Sequence, residues 1–521
     1  MATPAPDIDR PIAEPSERTP LKHRRSFVFF GALAAATLLP KRLRAQGRSR
    51  RRKPIEPAAP VDTGVIEPSE DVAAFAEWDT GGLSRLIRRV TMGMTAGDVR
   101  QAEAMGWDGY LNHQLNYQRI DDSVVESAIA AKYPLMAQPS SVLRASSTNV
   151  NDVFNQLRES TIYRSAFSQR QLYQRMVEFW SDHFNQDIDK VQTLLVADQR
   201  DVIRKYAMST FPQLLKASAH SASMMVYLDQ NVSSSKAPNQ NYAREIMELH
   251  TLGVDGGYTQ NDVAELSRVL TGWTVNNSGD FVFNAALHDT GDKVFLGTTI
   301  KGASGAAGQQ EGEQVLDMLV NHPSTARFIA TKLLRWMVTP SPSDAQVGAI
   351  AAVYRATGGD IKAMLRAMLN DSWIPQAPMK LKRPFHFAVS AVRALTPTVF
   401  SFSAITTQLN TLGHLIFSWD TPDGFPDKLE YWAGNILPRW QFGTAMSQFN
   451  STVTLAVDLT PYKAGSPANA VDLINQNFFG GEIPSVTSTA LLNYAGTATL
   501  TDAKTRELIA LAISANAFQW Y

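Results

Sequence analysis

The chain contains no cysteine. Disulfides, thiolate metal sites, iron–sulfur clusters and cysteine nucleophiles are therefore excluded, and any metal would need His, Asp, Glu, carbonyl or water ligands. Nor is there an excess of either charge: Lys+Arg and Asp+Glu both number 49. A chain-wide binder of nucleic acid or of an anionic membrane needs surplus positive charge, so that class is excluded. No repeat recurs at a fixed period and no heptad pattern is sustained. The apolar run Phe27–Leu39 has 13 residues, too short for a bilayer, which needs about 20. What is present is a globular composition over 521 residues, 44% hydrophobic and 9% aromatic, enough to bury a substantial core.

The N-terminal run has its own meaning. Arg24 and Arg25 precede it in "HRRSFVFFGALAAATLLPKRLRAQ". Its length and basic flank fit a signal-peptide apolar region, and the arginine pair resembles a twin-arginine export signal, with Val28 where Leu is frequent. A cut after Ala45 is plausible. Residues 1–46 read as a signal region and residues 47–80, basic and then Pro- and acid-rich, as a linker with no stripe to bury. The expectation is export to the periplasm or cell envelope, with no integral span in the mature chain. The twin-arginine route carries folded proteins, which suits a chain needing no oxidative folding.

From about residue 81 to 521 the periodicity is helical. Thr95 with Asp98, Ser168 with Gln171, and Thr259 with Asp262 have capping-box spacing. In "QRQLYQRMVEFWSDHFN" the residues Leu172, Met176, Phe179, Trp180 and Phe184 form one apolar stripe, and His183 falls inside it. The segment from Asn241 to Trp273 reads as an αα-hairpin, with Gly253 at a left-handed C-cap. On its first helix Tyr242, Ile246 and Leu249 make the core stripe. His250 lies on that apolar side, Glu245 on the other flank, and Arg244 with Glu248 forms an outward i,i+4 pair. At helical spacing Glu245 and His250 diverge and cannot share one ion. "DFVFN" and "DKVFLG" alternate weakly and predict a small β-hairpin near 280–300. Helices are expected at 311–321, 323–338, 343–356 and 360–370, and another opens at Pro384. The fold class is all-α: a large multi-helix array of αα-hairpins with one β-hairpin insertion.

Diagnostic catalytic and metal spacings are absent. There is no H-E-x-x-H, no Glu-x-x-His pair and no G-x-S-x-G elbow. Ser233-x-x-Lys236 sits in a Ser-rich loop, and "GASGAAG" lacks the P-loop lysine. "WDTPDGFPD" places Asp420, Asp423 and Asp427 off the calcium-loop pattern and reads as turn chemistry, its aromatic neighbours as core.

The segments "LIRRVTMGMT", "MVEFWSDHFN", "NYAREIMELHTLGVDGGYTQNDVAELSRVLTGWT", "HDTGDKVFLG", "HPSTARFIATKLLRWMV", "LKRPF" and "TPDGFPD" together resemble the bacterial domain of unknown function 1800 family. The resemblance implies exported, largely helical proteins, often encoded beside members of the domain of unknown function 1501 family. It carries no established catalytic residue. His386 stands where that family more often has an acid and is set aside. Within these motifs His183, Glu245, His250, His288 and Asp289 are the candidate catalytic residues. Grouped in one dry pocket they could act as general acid and base or hold a metal; no cofactor is indicated. The alternative is a set of hydrogen-bonded buried groups that fix helix register. Two functions stay open: a hydrolase-like extracytoplasmic enzyme acting on envelope or polymeric material, and a non-catalytic binding or assembly protein working with a companion exported protein.

Overall fold

Apolar stripes at helical spacing decide the architecture. In the computed structural model, which describes residues 81–145 and 147–521, the protein is an array of helices around one contiguous core. The signal and linker expected at 1–80 lie outside the described residues. Helix α1 (Gln171–His183) buries Leu172, Met176 and Trp180 at 0% exposure. Each such side chain contributes roughly 1.5–3 kcal/mol on leaving water. Its start differs from the expected capping box. Ser168 Oγ instead donates to Asp122 Oδ2 at 2.6 Å, and Gln169 N donates to Asp122 Oδ1 at 2.9 Å. A carboxylate from a distant segment outcompetes Gln171, whose amide bonds the Ser168 carbonyl at 2.7 Å.

The αα-hairpin forms as α2 (Gln240–Glu245) and α3 (Gln260–Val269), and the Thr259–Asp262 capping box is complete. Between them the chain departs from expectation. Residues Ile246–Thr251 wind as a π-helix. Thr251 Oγ1 donates to Ile246 O, five residues back, at 2.6 Å, which supports the wide turn. That winding brings Met247, not Leu249, fully inside. It also dissolves the expected Arg244–Glu248 pair: Arg244 donates to Gln260 Oε1 at 3.1 Å, and Glu248 Oε2 accepts from the Tyr258 hydroxyl at 3.5 Å. Gly253 does take the left-handed cap, with φ 83°.

Helix α4 (Pro323–Met337) and helix α5 (Pro384–Leu395) each open on proline, where a missing N–H costs nothing. The β content is small. Strand β1 (Trp273–Val275) pairs antiparallel with β2 (Phe281–Phe283), and β3 (Lys293–Phe295) with β4 (Thr298–Ile300). The two runs expected to pair with each other each find a nearer partner. A third pair joins β5 (Thr398–Val399) to β6 (Leu455–Ala456). Among the described residues no helix is long and apolar enough to cross a membrane.

Candidate functional site

A cavity of about 410 Å³ opens where α1, α4, the start of α5 and the loop 419–428 meet. That volume lies in the range of small-ligand sites. Helix α1 contributes Phe179, Asp182 and His183. Helix α4 contributes Lys332, Arg335 and Trp336, which share a face because they stand at i, i+3 and i+4. The loop is pinned to α1 by Asn185, whose Nδ2 donates to Trp419 O at 2.9 Å and Thr421 O at 2.8 Å. Gly424 completes the fit: its φ is +77°, and a Cβ there would collide with the backbone of Asp182.

Behind the cavity lies a layer of paired charges. The Arg175 and Arg383 guanidinium carbons sit 4.6 and 4.5 Å from the Trp336 ring centroid. Glu178 joins them, with Arg175 at 3.1 Å and Arg383 at 2.6 Å. Arg383 also lies 2.6 Å from Asp182 Oδ2. That contact is a close, buried ion pair. Lys380 closes the end of α4 by donating to the Trp336 carbonyl at 3.2 Å and to Asp427 at 3.0 Å.

Three groups facing the cavity are less settled. Lys332 is half-buried, and its ammonium has no hydrogen bond or ion pair among the described residues. Burial lowers its pKa to about 8, against the opposing pull of Asp182 and Asp423. Burial raises Asp182 to about 6, with Arg383 opposing. His183 Nε2 donates to the His250 carbonyl at 3.1 Å. A carbonyl only accepts, so the proton sits on Nε2 and Nδ1 keeps its lone pair. Nδ1 has no partner. Burial, then the charge of Lys332, holds His183 well below the usual histidine range.

The expected site residues divide. His183 lines the cavity, and His250 is its neighbour, the two rings 5.9 Å apart. His250 Nε2 is likewise unpartnered, and burial followed by Lys332 lowers its pKa to about 3. Glu245 is half-buried; burial and then Glu248 raise its pKa, and the charge of Asp423 at the cavity acts in the same direction. His288 and Asp289 belong to a different cluster. His288 Nδ1 meets the Thr271 carbonyl at 2.8 Å and Nε2 meets Glu311 at 3.1 Å. Glu311 in turn accepts from Lys293 at 2.6 Å, while Asp289 pairs with Arg268 at 2.8 Å. Neither residue lines the cavity, so the expected fivefold constellation does not assemble.

Sequence reasoning missed Lys332, Asp182 and Arg383, and read Asp423 and Asp427 only as turn residues. A signal existed. The cavity is lined from "MVEFWSDHFN", "HPSTARFIATKLLRWMV", "LKRPF" and "TPDGFPD", and His250 comes from "NYAREIMELH". Segments carrying the family resemblance, scattered along the chain, converge here. Among the described residues no group of three or more His, Asp or Glu is placed to hold a metal ion.

The architecture and this convergence define a mainly helical protein with a polar cavity built from its motif segments. The chain belongs to the family described as Protein of unknown function (DUF1800), whose model matches residues 85–520. No curated protein and no solved structure matches it.

Proposed function

We propose that the cavity is the centre of an acid–base enzyme, exported through its twin-arginine-like signal and hydrolase-like toward an envelope or polymeric substrate. One observation carries this reading. An amine with a pKa near 8, a carboxyl near 6 and the His183 side chain line the same cavity. Pairs of groups pushed to either side of neutrality are the usual means of acid and base work at pH 7. At neutral pH Asp182 is mostly ionised and Lys332 mostly protonated. Asp182 takes the proton of a water as that water attacks, and Lys332 gives its proton to the leaving group, while the buried, neutral His183 forms part of the wall. Arg383 holds Asp182 in place. Glu245 acts only through its charge at the cavity, and His288 with Asp289 supports the adjoining insertion.

The test is turnover of a panel of ester, glycoside and amide substrates by the wild type and by Lys332→Gln, Asp182→Asn and His183→Asn. The expected result is a loss of roughly 10²–10⁴-fold for the first two, with a wild-type profile whose limbs fall near pH 6 and 8. Turnover that survives both substitutions would sink the reading.

A second reading rests on a different surface. Helices Ile436–Gln448, Ser485–Ala495 and Asp502–Ser514 border an open, largely apolar groove of about 760 Å³, with Trp440 53% exposed. An exposed aromatic patch of this kind supports docking of a companion exported protein. Co-purification from the native host, repeated with Trp440→Ser, tests it: a wild-type chain that retains no partner counts against it.

A further inference from the structure

A second cavity, of about 370 Å³, is lined by Arg164, Arg170, Arg200 and Arg204 around the single carboxylate of Glu126. Tyr173 also lines it, from the first turn of α1, whereas His183 lies at that helix's last residue. At 1.5 Å per residue the two positions are about 15 Å apart along the helix, so this is a separate site.

The four guanidinium groups are not equivalent. Arg164 is matched by Glu126, bidentate at 2.8 and 3.1 Å. Arg200 is matched by Asp201 at 2.7 and 2.9 Å. Arg170 and Arg204 have no carboxylate within ion-pair distance among the described residues. Arg170 spends Nε and Nη2 on the Ile120 carbonyl, at 3.1 and 2.9 Å, and Nη1 carries no hydrogen bond. Arg204 spends only Nη2, on Gln174 Oε1 at 3.1 Å, and its Cζ lies 5.3 Å from the Tyr173 ring centroid. Its Nε and Nη1 are left without hydrogen bonds. Tyr133, 4% exposed, also lines the cavity, and the neighbouring Glu159 acts on its hydroxyl by charge and as a hydrogen-bond acceptor.

The balance of charge points the same way. Burial alone would raise the Glu126 pKa, yet it is lowered, first by the hydrogen bonds from Arg164 and then by the charges of Arg164, Arg204 and Arg170. Glu126, the one carboxylate among the lining residues, thus answers to three cations, with Asp122 acting on Arg204 from outside the cavity. The local backbone is also unusual: Arg200 sits in a second π-helix, Asp198–Ile203, with Arg204 directly after it. Such turns are frequent where a side chain must be aimed at a ligand.

We infer that this cavity is an oxyanion site, taking a phosphoryl or carboxylate group between Arg170 and Arg204. Forked guanidinium groups with free N–H bonds match the paired oxygens of such groups, and Tyr173 offers an apolar wall to whatever carries them. The inference does not depend on the catalytic reading of the other cavity.

Equilibrium dialysis of the purified chain against radiolabelled inorganic phosphate tests it, with citrate as competitor and thermal melting as the folding control. The expected result is one saturable phosphate per chain, weakened roughly tenfold or more by Arg204→Gln and by Arg170→Gln, less by Arg204→Lys, and strengthened by Glu126→Gln. Lys332→Gln should retain it. Displacement by citrate identifies a general oxyanion site, whereas phosphate held against citrate identifies a phosphoryl site. Absence of saturable binding would overturn the inference, as would a folded Arg204→Gln that binds like wild type or a loss of binding in Lys332→Gln.

Discussion

Two buried histidine environments in this protein use the same residue types to opposite ends. Around His288 the polar groups have partners within reach: Nδ1 faces the Thr271 carbonyl, Nε2 faces Glu311, and Glu311 also accepts from Lys293 and from the Ala303 amide at 2.7 Å. Around His183 the answers run out. One nitrogen of His183 and one of His250 are orphaned, and among the described residues Lys332 has no hydrogen bond or ion pair, only the Phe328 ring 5.5 Å from its ammonium. Both histidines are essentially inaccessible, so burial does not distinguish them. Satisfaction does: a saturated network stabilises and orients, whereas an unsatisfied one is kept at a cost in stability and is free to act.

The sharpest way to break this comparison is to unpair the saturated cluster. Glu311→Ala leaves the fully buried Lys293 amine without its carboxylate and His288 without its Nε2 partner. A loss of about 3–5 kcal/mol is expected, read from chemical denaturation. A loss below about 1 kcal/mol would mean that the cluster is not the structural one.

Much of the scaffold of both regions was legible beforehand. The Thr259–Asp262 cap, the proline starts at Pro323 and Pro384 and the stripe through Trp180 are local patterns, and local patterns are what periodicity reports. The site was legible only in part, for identifiable reasons. The π-turn at Ile246–Thr251 changes the angle per residue, so a wheel drawn at 100° put Leu249 in the core stripe, where Met247 is the buried residue. Ser168 was claimed by Asp122, a partner 46 positions away that no local rule could supply. Lys332, one of three cations on an amphipathic helix with Arg327 and Arg335, carries no local sign of burial. Only the approach of Asp182, Arg383 and the loop around Gly424 turns it into a desolvated amine. His288 looked like His183 in sequence because partners such as Glu311, 23 positions on, lie outside any helical window.

Acidification sharpens the comparison with a smaller effect. His250, with a pKa lowered to about 3, stays neutral in the folded chain long after the unfolded chain, near 6.5, has taken its proton. Stability therefore falls as pH drops from about 6.5 toward 3, by at most about 1.4 kcal/mol per unit for each such histidine. His183, His386 and His414 are lowered too and act in the same direction. Asp182 and Asp198, both raised to about 6, oppose them: their contribution is full below the ordinary aspartate range and is lost as pH rises through 6. Glu245, Asp187 and His220, also raised, act with these aspartates, whereas the lowered carboxyls of Glu126, Asp262, Asp289 and Glu313 lose their contribution in acid as the histidines do, so net loss in acid is expected in melting curves. His250→Gln should flatten the slope. An equal slope in that variant would show that His250 is not held neutral.

The smallest expected effect on stability is the most telling. Lys332→Met keeps the length of the side chain and removes an ammonium that has no hydrogen bond or ion pair among the described residues, only the Phe328 ring 5.5 Å away. It also removes the charge that helps depress His183 and His250, and a like charge beside Arg335. No hydrogen bond is lost, so melting should move by no more than about 1 kcal/mol, and in the stabilising direction. Set against Glu311→Ala, this is the same class of change, one charged side chain removed from a buried polar cluster, with the opposite sign. A Lys332→Met chain destabilised by several kcal/mol would place Lys332 among the paired, structural charges and erase the difference between the two regions. A stabilised chain that no longer turns over substrate would mean that the ammonium is retained for its chemistry.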